Sequence, residues 1–369
     1  MRIDKETAWY RLCNLPGIGR KSIARLLELF GTPEEIYYAS DNVIDSLDNL
    51  SAGQKSVLKK RDTDLYLYQL YTYHKKCIQF IHYEDNRYPE ALKNIPDRPY
   101  CLYVKCGDDS AFGMFDKPCV SVIGSRNCSD YGYAAAYNMA KELVSHGVTV
   151  ISGMAKGIDG AAHRGAVDHN GCTCAVLGCG VDICYPRSNI ELYMDIQSKG
   201  MIMSEYPPGT RPVPGQFPER NRLISGLSDV VAVVEAGNRS GSLITIDMAL
   251  EQGKDVYAVP GRLTDAGSVG CNRLIKNGAG IYTGVNDILS ELGYDISCDN
   301  ILSVSDNNTL ATEEKIVYAK LGLEPKHVDS VVEESDLPTV TVLQALMKLE
   351  LRHLIRQTAA NYYVINALQ

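Results

Sequence analysis

A chain of 369 residues, 45% hydrophobic and 22% charged, carries enough apolar surface for two or three globular domains. Its net charge of -8 excludes a uniformly basic nucleic-acid coat, and no apolar run is long enough to span a membrane. The N-terminus MRIDKETAWYRLCN has charges where a secretory signal needs an apolar centre, so a cytoplasmic protein is expected. The 12 cysteines show no C-x-x-C spacing. The densest group, Cys172, Cys174, Cys179 and Cys184, is read as small apolar packing, with no metal and no cofactor expected.

Charge is unevenly spread. Basic and acidic residues number 17 against 17 over residues 1–117, 14 against 15 over 118–285, and 6 against 13 over 286–369. The middle segment is neutral in sum yet places Arg126, Lys156, Arg187, Arg211, Arg220, Arg222 and Arg239 in or beside glycine- and proline-rich stretches, which allows a local basic patch.

In chain order, residues 1–77 read as a helical module. Two short helices between Thr7 and Ala39 flank Leu15-Pro16-Gly17-Ile18-Gly19, with Ile23, Leu26, Leu27 and Phe30 at helical spacing. This is the pattern of a helix-hairpin-helix or SAM-like unit. Its glycines suit a phosphate approaching the next helix, or the unit is a packing module alone. The run Lys55, Lys59, Lys60 and Arg61 reads as a solvated face.

Residues 78–295 alternate short apolar runs with helical segments, which predicts an α/β domain with a largely parallel sheet covered on both faces. The apolar runs are CVSVI, VTVI, CAVLG, MIMS, VVAVV and VYAV, with QFIHY and YCLYV as extra strands on the same domain. Helices are expected over 131–146, 160–169 and 243–252. Ligands in such sheets bind beyond the carboxyl ends of the strands, where GSRNCSDYG, SGMAKGIDG, GCGVD and EAGNRSGS fall. None of these loops has the G-x-G-x-x-G spacing of a dinucleotide site, and the chain has no G-x-x-x-x-G-K-[ST]. His163 follows Asp159 by one helical turn, a spacing read as a helix-internal hydrogen bond rather than catalytic orientation. The stretch QFPERNRLISGLS, opened by PPGTRPVPG, is expected to be a loop presenting Phe217, Arg220 and Arg222, an aromatic face for a base beside guanidiniums for phosphates.

Residues 296–309 read as a linker. Residues 310–369 read as three helices and a strand pair, the order of a winged helix. The third helix, 339–351, offers only Lys348 as a cation within an acidic segment, which argues against duplex binding and for a protein-interaction or regulatory role.

The blocks IGSRNCSDYG, SGMAKGIDGAAH, AVLGCGVDICYP, SEYPPGTRPVPGQFPERNRLISGLS, VVEAGNRSGSLIT, YAVPG and GCNRLIKNGA, in this order, resemble the DNA-processing protein A (DprA/Smf) family, and the flanking modules agree. The resemblance implies an extended Rossmann-like domain that binds single-stranded DNA, forms a homodimer and hands incoming strands to the RecA recombinase during natural transformation, with no catalytic turnover. It implies a DNA pocket of Gly124, Ser125 and Arg126; Ser152, Gly153, Lys156, Gly157, Ile158 and Asp159; Phe217, Arg220, Asn221 and Arg222; and Ser240, Gly241 and Ser242, with Arg211 the cation before Phe217. Residues 272–283 are taken as the expected dimer face. Glu219 departs from a more basic loop and is expected to lower affinity. Two other readings are a phosphoribohydrolase of the lysine-decarboxylase-like type, whose P-G-G-x-G-T-x-x-E loop would lie where this chain has EAGNRSGSLIT, and a scaffold that binds a nucleotide as a signal.

Overall fold

The computed structural model describes residues 3–294, 311–322, 324–352 and 354–365. The expected linker at 296–309 lies outside the described residues. Strands β1 (Gln79–His82), β2 (Cys101–Cys106), β3 (Cys119–Ile123), β4 (Thr149–Ser152), β5 (Thr173–Val176), β6 (Met201–Ser204), β7 (Val230–Val233), β8 (Asp255–Ala258) and β9 (Gly280–Ile281) form one sheet. Its order is β1-β2-β6-β5-β4-β3-β7-β8-β9. The strands from β6 to β9 in that order run parallel, and β1 and β2 add an antiparallel edge. QFIHY and YCLYV therefore supply the two extra strands expected of them.

The central strands are buried along their whole length because helices cover both faces. Val120, Val122 and Val150 face helices Asp130–Ser145 and Ile158–Asp168, while Ile123 and Ile151 face the opposite layer with Leu223, Ile224 and Ile246. The chain extends the sheet one way from β3 through β4, β5 and β6, then returns to add β7 on the other side of β3. This is a Rossmann-like switch point, and it opens a crevice beyond the carboxyl ends of β3, β4 and β7.

The N-terminal module has more helices than the pair expected over Thr7 to Ala39: Lys5–Asn14 and Arg20–Phe30 are joined there by Pro33–Tyr38. The hairpin is buried through Leu15 and Ile18 and exposed at Gly17 and Gly19. Trp9 lies nearly parallel to His82 and to Tyr100 at 5.8 and 6.2 Å, which seats the module on the antiparallel sheet edge. Arg20, the first residue after the hairpin, pairs with Glu205 at 3.1 Å rather than standing free for a phosphate. Within the basic run, Lys59 and Arg61 pair with Asp45 and Asp41 at the surface.

The C-terminal module is a winged helix. Helices Thr312–Lys320, Val328–Ser335 and Thr339–Leu351 pack on strands β11 (Ile355–Ala359) and β12 (Tyr362–Ile365), and the short β10 (Lys326–His327) completes the sheet. Val317, Val331, Val342, Leu346, Leu349 and Ile355 form its core.

Candidate nucleic-acid interface

A cleft of about 370 Å3 opens at the switch point. Gly124, Ser125, Arg126 and Asn127 after β3, Ala155 and Asp159 after β4, and Ser240, Gly241 and Ser242 after β7 form three of its sides. The fourth is not the loop expected from the proline and glycine content: Gln216–Gly226 is an α-helix. Pro218 sits in its first turn, where the missing N-H has no helical acceptor to lose and the fixed φ suits a helix. Phe217, Arg220, Asn221 and Ile224 recur at the spacing of one helical face and line the cleft together.

Helical geometry also corrects Arg222. Two residues from Arg220, it lies about 200° around the helix and points away from the cleft. It is 6% exposed, pairs with Glu205 at 2.6 Å and donates to the Asp97 carbonyl at 3.1 Å. Arg222 and Arg20 thus hold Glu205 between them and clamp the N-terminal module to the sheet domain. Ser152 is corrected likewise, being buried and donating its hydroxyl to Val122 O at 2.6 Å.

Arg220 lines the cleft, but only 4% of it is exposed. One guanidinium nitrogen donates to Gly153 O at 2.9 Å and also to Val176 O. Gly153 has no side chain because the guanidinium occupies that space: a Cβ there would fall 2.8 Å from Nη2. Burial lowers the Arg220 pKa to about 10, so the group stays charged at neutral pH. Burial also raises the Asp159 pKa, against the opposing pull of Arg220 and of the Ala155 N-H at 3.4 Å. Asp159 and Arg220 therefore attract each other at the floor of the cleft, but burial outweighs that attraction on both groups.

Gly157 caps the helix that carries Asp159, with φ +76°. The next residue, Ile158, is buried and its N-H donates to Ser125 O at 3.2 Å, locking the loop after β4 to the loop after β3. Ser125 N in turn donates to Glu235 O at 2.7 Å. The Glu235 carboxylate accepts from Ser129, at 2.9 Å from its N-H, and so braces the start of helix Asp130–Ser145. It is not among the cleft-lining groups, where Asp159 is the one carboxylate among the described residues. Ser240 and Ser242 meet hydroxyl to hydroxyl at 2.8 Å where helix Ser242–Glu251 begins.

At the rim, the exposed Arg126 holds its guanidinium 5.6 Å from the centroid of the half-buried Phe217 ring. Lys156 and Arg211 are exposed but do not line the cleft. Asn127, Pro218, Ile224 and Thr245 line it and are not among the residues expected from sequence, although Ile224 could have been found as i+7 from Phe217 once that stretch is taken as helix.

His163 does not bond Asp159. Its Nδ1 lies 2.7 Å from Thr173 Oγ1, and burial lowers its pKa to about 3, which keeps the ring neutral. Cys174 and Cys179 are buried in the cores beside their strands. No group of three His, Cys, Asp or Glu side chains suited to a metal occurs among the described residues, and none of their helices is long and apolar enough to cross a membrane.

Residues 79–293 match the family model described as DNA recombination-mediator protein A, and residues 304–361 match the DprA winged helix domain. Protein Smf of Synechocystis sp. is 34% identical over 294 residues, 79% of this chain and 74% of that protein. DNA processing protein DprA of Streptococcus pneumoniae is 42% identical over 210 residues, 57% and 73% of the two chains. The X-ray structure of the S. pneumoniae protein superposes with a TM-score of 0.68 at 33% identity, covering 79% of this chain and 99% of that one. A Helicobacter pylori DNA processing protein A structure, described for its single-stranded DNA binding mode, superposes at 0.52 with 31% identity over 58% of this chain and 95% of that one. A Rossmann-like sheet with a cleft at its switch point, a helical N-terminal module and a winged helix accompany these matches, and the chain belongs to the DNA recombination-mediator protein A (DprA/Smf) family.

Proposed function

We propose that this chain binds single-stranded DNA at the switch-point cleft, protects incoming strands and loads a RecA-type recombinase on them during natural transformation, acting in the cytoplasm as a homodimer and without turnover. The observation that carries the DNA reading is the convergence of Arg126, the Phe217 ring and the serine- and glycine-rich loops on one cleft. A half-buried ring with a cation beside it suits a base and its phosphate, while backbone N-H groups and hydroxyls suit phosphate oxygens. The single-stranded DNA binding ascribed to the H. pylori relative supports the same reading. Ser152 and Arg222 are assigned structural work, and Arg220 the positioning of the floor.

The winged helix fits a different task. Residues 311–365 hold six basic against eight acidic residues, so the module is only mildly acidic, and much of the C-terminal acidity lies in 286–310, which has five carboxylates and no Lys or Arg. Its third helix exposes Val340, Leu343, Met347 and Leu351 beside the single cation Lys348. That surface suits protein contact better than a phosphate backbone.

The test is a mobility shift with a thymidine oligomer and the corresponding duplex across several salt concentrations. The oligomer is expected to bind more tightly, with a log-log salt slope of about -0.7 for each phosphate neutralised. Equal duplex affinity or insensitivity to salt sinks the reading.

A pH dependence follows from Asp159. Its folded pKa is raised, so its contribution to stability is fully present below the ordinary value of 3.8 and is lost as pH rises through the raised folded value. Protonation also removes the one negative charge from the cleft lining. Oligomer affinity is therefore expected to rise as pH falls from neutral into that window, and Asp159→Asn is expected to flatten the rise. A parallel pH profile for the two proteins, measured at constant ionic strength, rules this out.

A further inference from the structure

Tyr185 lies outside the residues assigned to the cleft. We propose that it is a second base-stacking residue, which carries the single-stranded DNA interface out of the cleft along residues 184–189. The inference rests on the single-stranded DNA reading above and extends it to a position which that reading does not include.

Phe217 is partly enclosed by its neighbours. Its centroid lies 5.4 Å from that of Tyr185, with 32° between the planes, and 5.6 Å from the Arg126 guanidinium. Its edge is packed so closely over Gly178 that a Cβ there would fall 2.9 Å from the ring. Phe217 is thus walled on several sides, and the outer members of the group are Arg126 and Tyr185. Tyr185 is 43% exposed beside the cleft, and its hydroxyl meets no hydrogen-bond partner among the described residues. An uncovered aromatic face supported from behind by a second ring suits a nucleobase, which binds by stacking irrespective of sequence.

The backbone beyond Tyr185 supplies the matching charge. Asn189 donates to Met154 O at 3.0 Å and to Ala155 O at 3.3 Å, which ties the turn Arg187–Asn189 to the loop bearing Lys156. Lys156 and Arg187 are both exposed, on segments that this bond holds together. A strand leaving the cleft over Tyr185 therefore meets cations in the direction the chain takes. The nearby Asp182 is partly committed elsewhere, accepting from Gly209 N at 2.7 Å.

The test uses the full chain and thymidine oligomers, with Tyr185→Ala, Tyr185→Phe and Tyr185→Trp variants beside Arg126→Ala. Tyr185→Ala is expected to weaken binding about tenfold with its salt slope kept, and Tyr185→Phe to bind as the parent does, because the ring and not the hydroxyl makes the contact. The indole of the Tyr185→Trp variant should be quenched by the oligomer. The chain's single tryptophan, Trp9, is 1% exposed and gives a steady background. An oligomer carrying 5-iododeoxyuridine should photo-crosslink to the peptide containing Tyr185. If Arg126→Ala weakens binding while Tyr185→Ala binds within a factor of two and the indole signal stays flat, Tyr185 is a loop residue and this inference fails alone. If Tyr185→Ala melts lower but binds normally, the ring only braces Phe217, and the inference fails in the same way. If the parent chain binds no oligomer, the single-stranded DNA reading itself fails.

Discussion

Arg220→Ala is expected to lower folding stability by about 3–5 kcal/mol, since two buried carbonyls lose a charged donor at about 1–3 kcal/mol each and a buried carboxyl loses a nearby positive charge. The side chain is 4% exposed, so little solvent screens its loss. Its removal strips donors from Gly153 O and Val176 O and leaves the buried Asp159 without the charge that opposes its desolvation. It also empties the space that Gly153 keeps open. Arg220→Lys should recover only part of the stability, because an ammonium cannot reproduce the planar fork of the guanidinium. Asp159→Asn combined with Arg220→Met should recover more than Arg220→Met alone, since it removes the orphaned charge together with its partner. Urea unfolding of the four variants measures this. A loss below about 1 kcal/mol for Arg220→Ala, the range of an exposed pair, would mean that the guanidinium serves the ligand and not the fold.

The sheet domain was legible in the sequence because its signals are local. Each buried parallel strand is a short apolar run, each strand at the cleft is followed by a glycine-rich loop, and the topology of alternating strands and helices brings those loops to one rim. The stretch at 216–226 misled for an equally local reason. Proline and glycine mark a break in most places, but Pro218 falls in the first turn of a helix, where it costs nothing. That error carried into the site. In a loop, Arg220 and Arg222 are equivalent; on a helix, two residues of separation send one to the cleft and the other to Glu205. The burial of Ser152 and the Tyr185–Phe217 contact depend on packing between segments distant in sequence, and no single stretch of residues encodes them.

Phe217→Ala and Arg126→Ala are expected to lose single-stranded DNA affinity in different ways. Arg126 is exposed at the rim and lies against the ring without an ion-pair partner among the described residues, so its charge is available to a phosphate. Its loss should weaken binding and flatten the salt slope by about 0.7, one phosphate equivalent on single strands. Phe217→Ala should cost about 1–3 kcal/mol of binding with the slope kept, because stacking releases no counterions. The structure adds a second consequence for Phe217. The ring is half-buried, rests over Gly178 and touches Tyr185, so its truncation also opens space beside the helix and should lower the melting temperature, while Arg126→Ala should not. Affinities at several salt concentrations, measured well below the melting temperature of each variant, separate the two effects. A Phe217→Ala protein that melts lower yet binds the oligomer as tightly as the parent would show that the ring anchors its helix against the loop after β5 and takes no base.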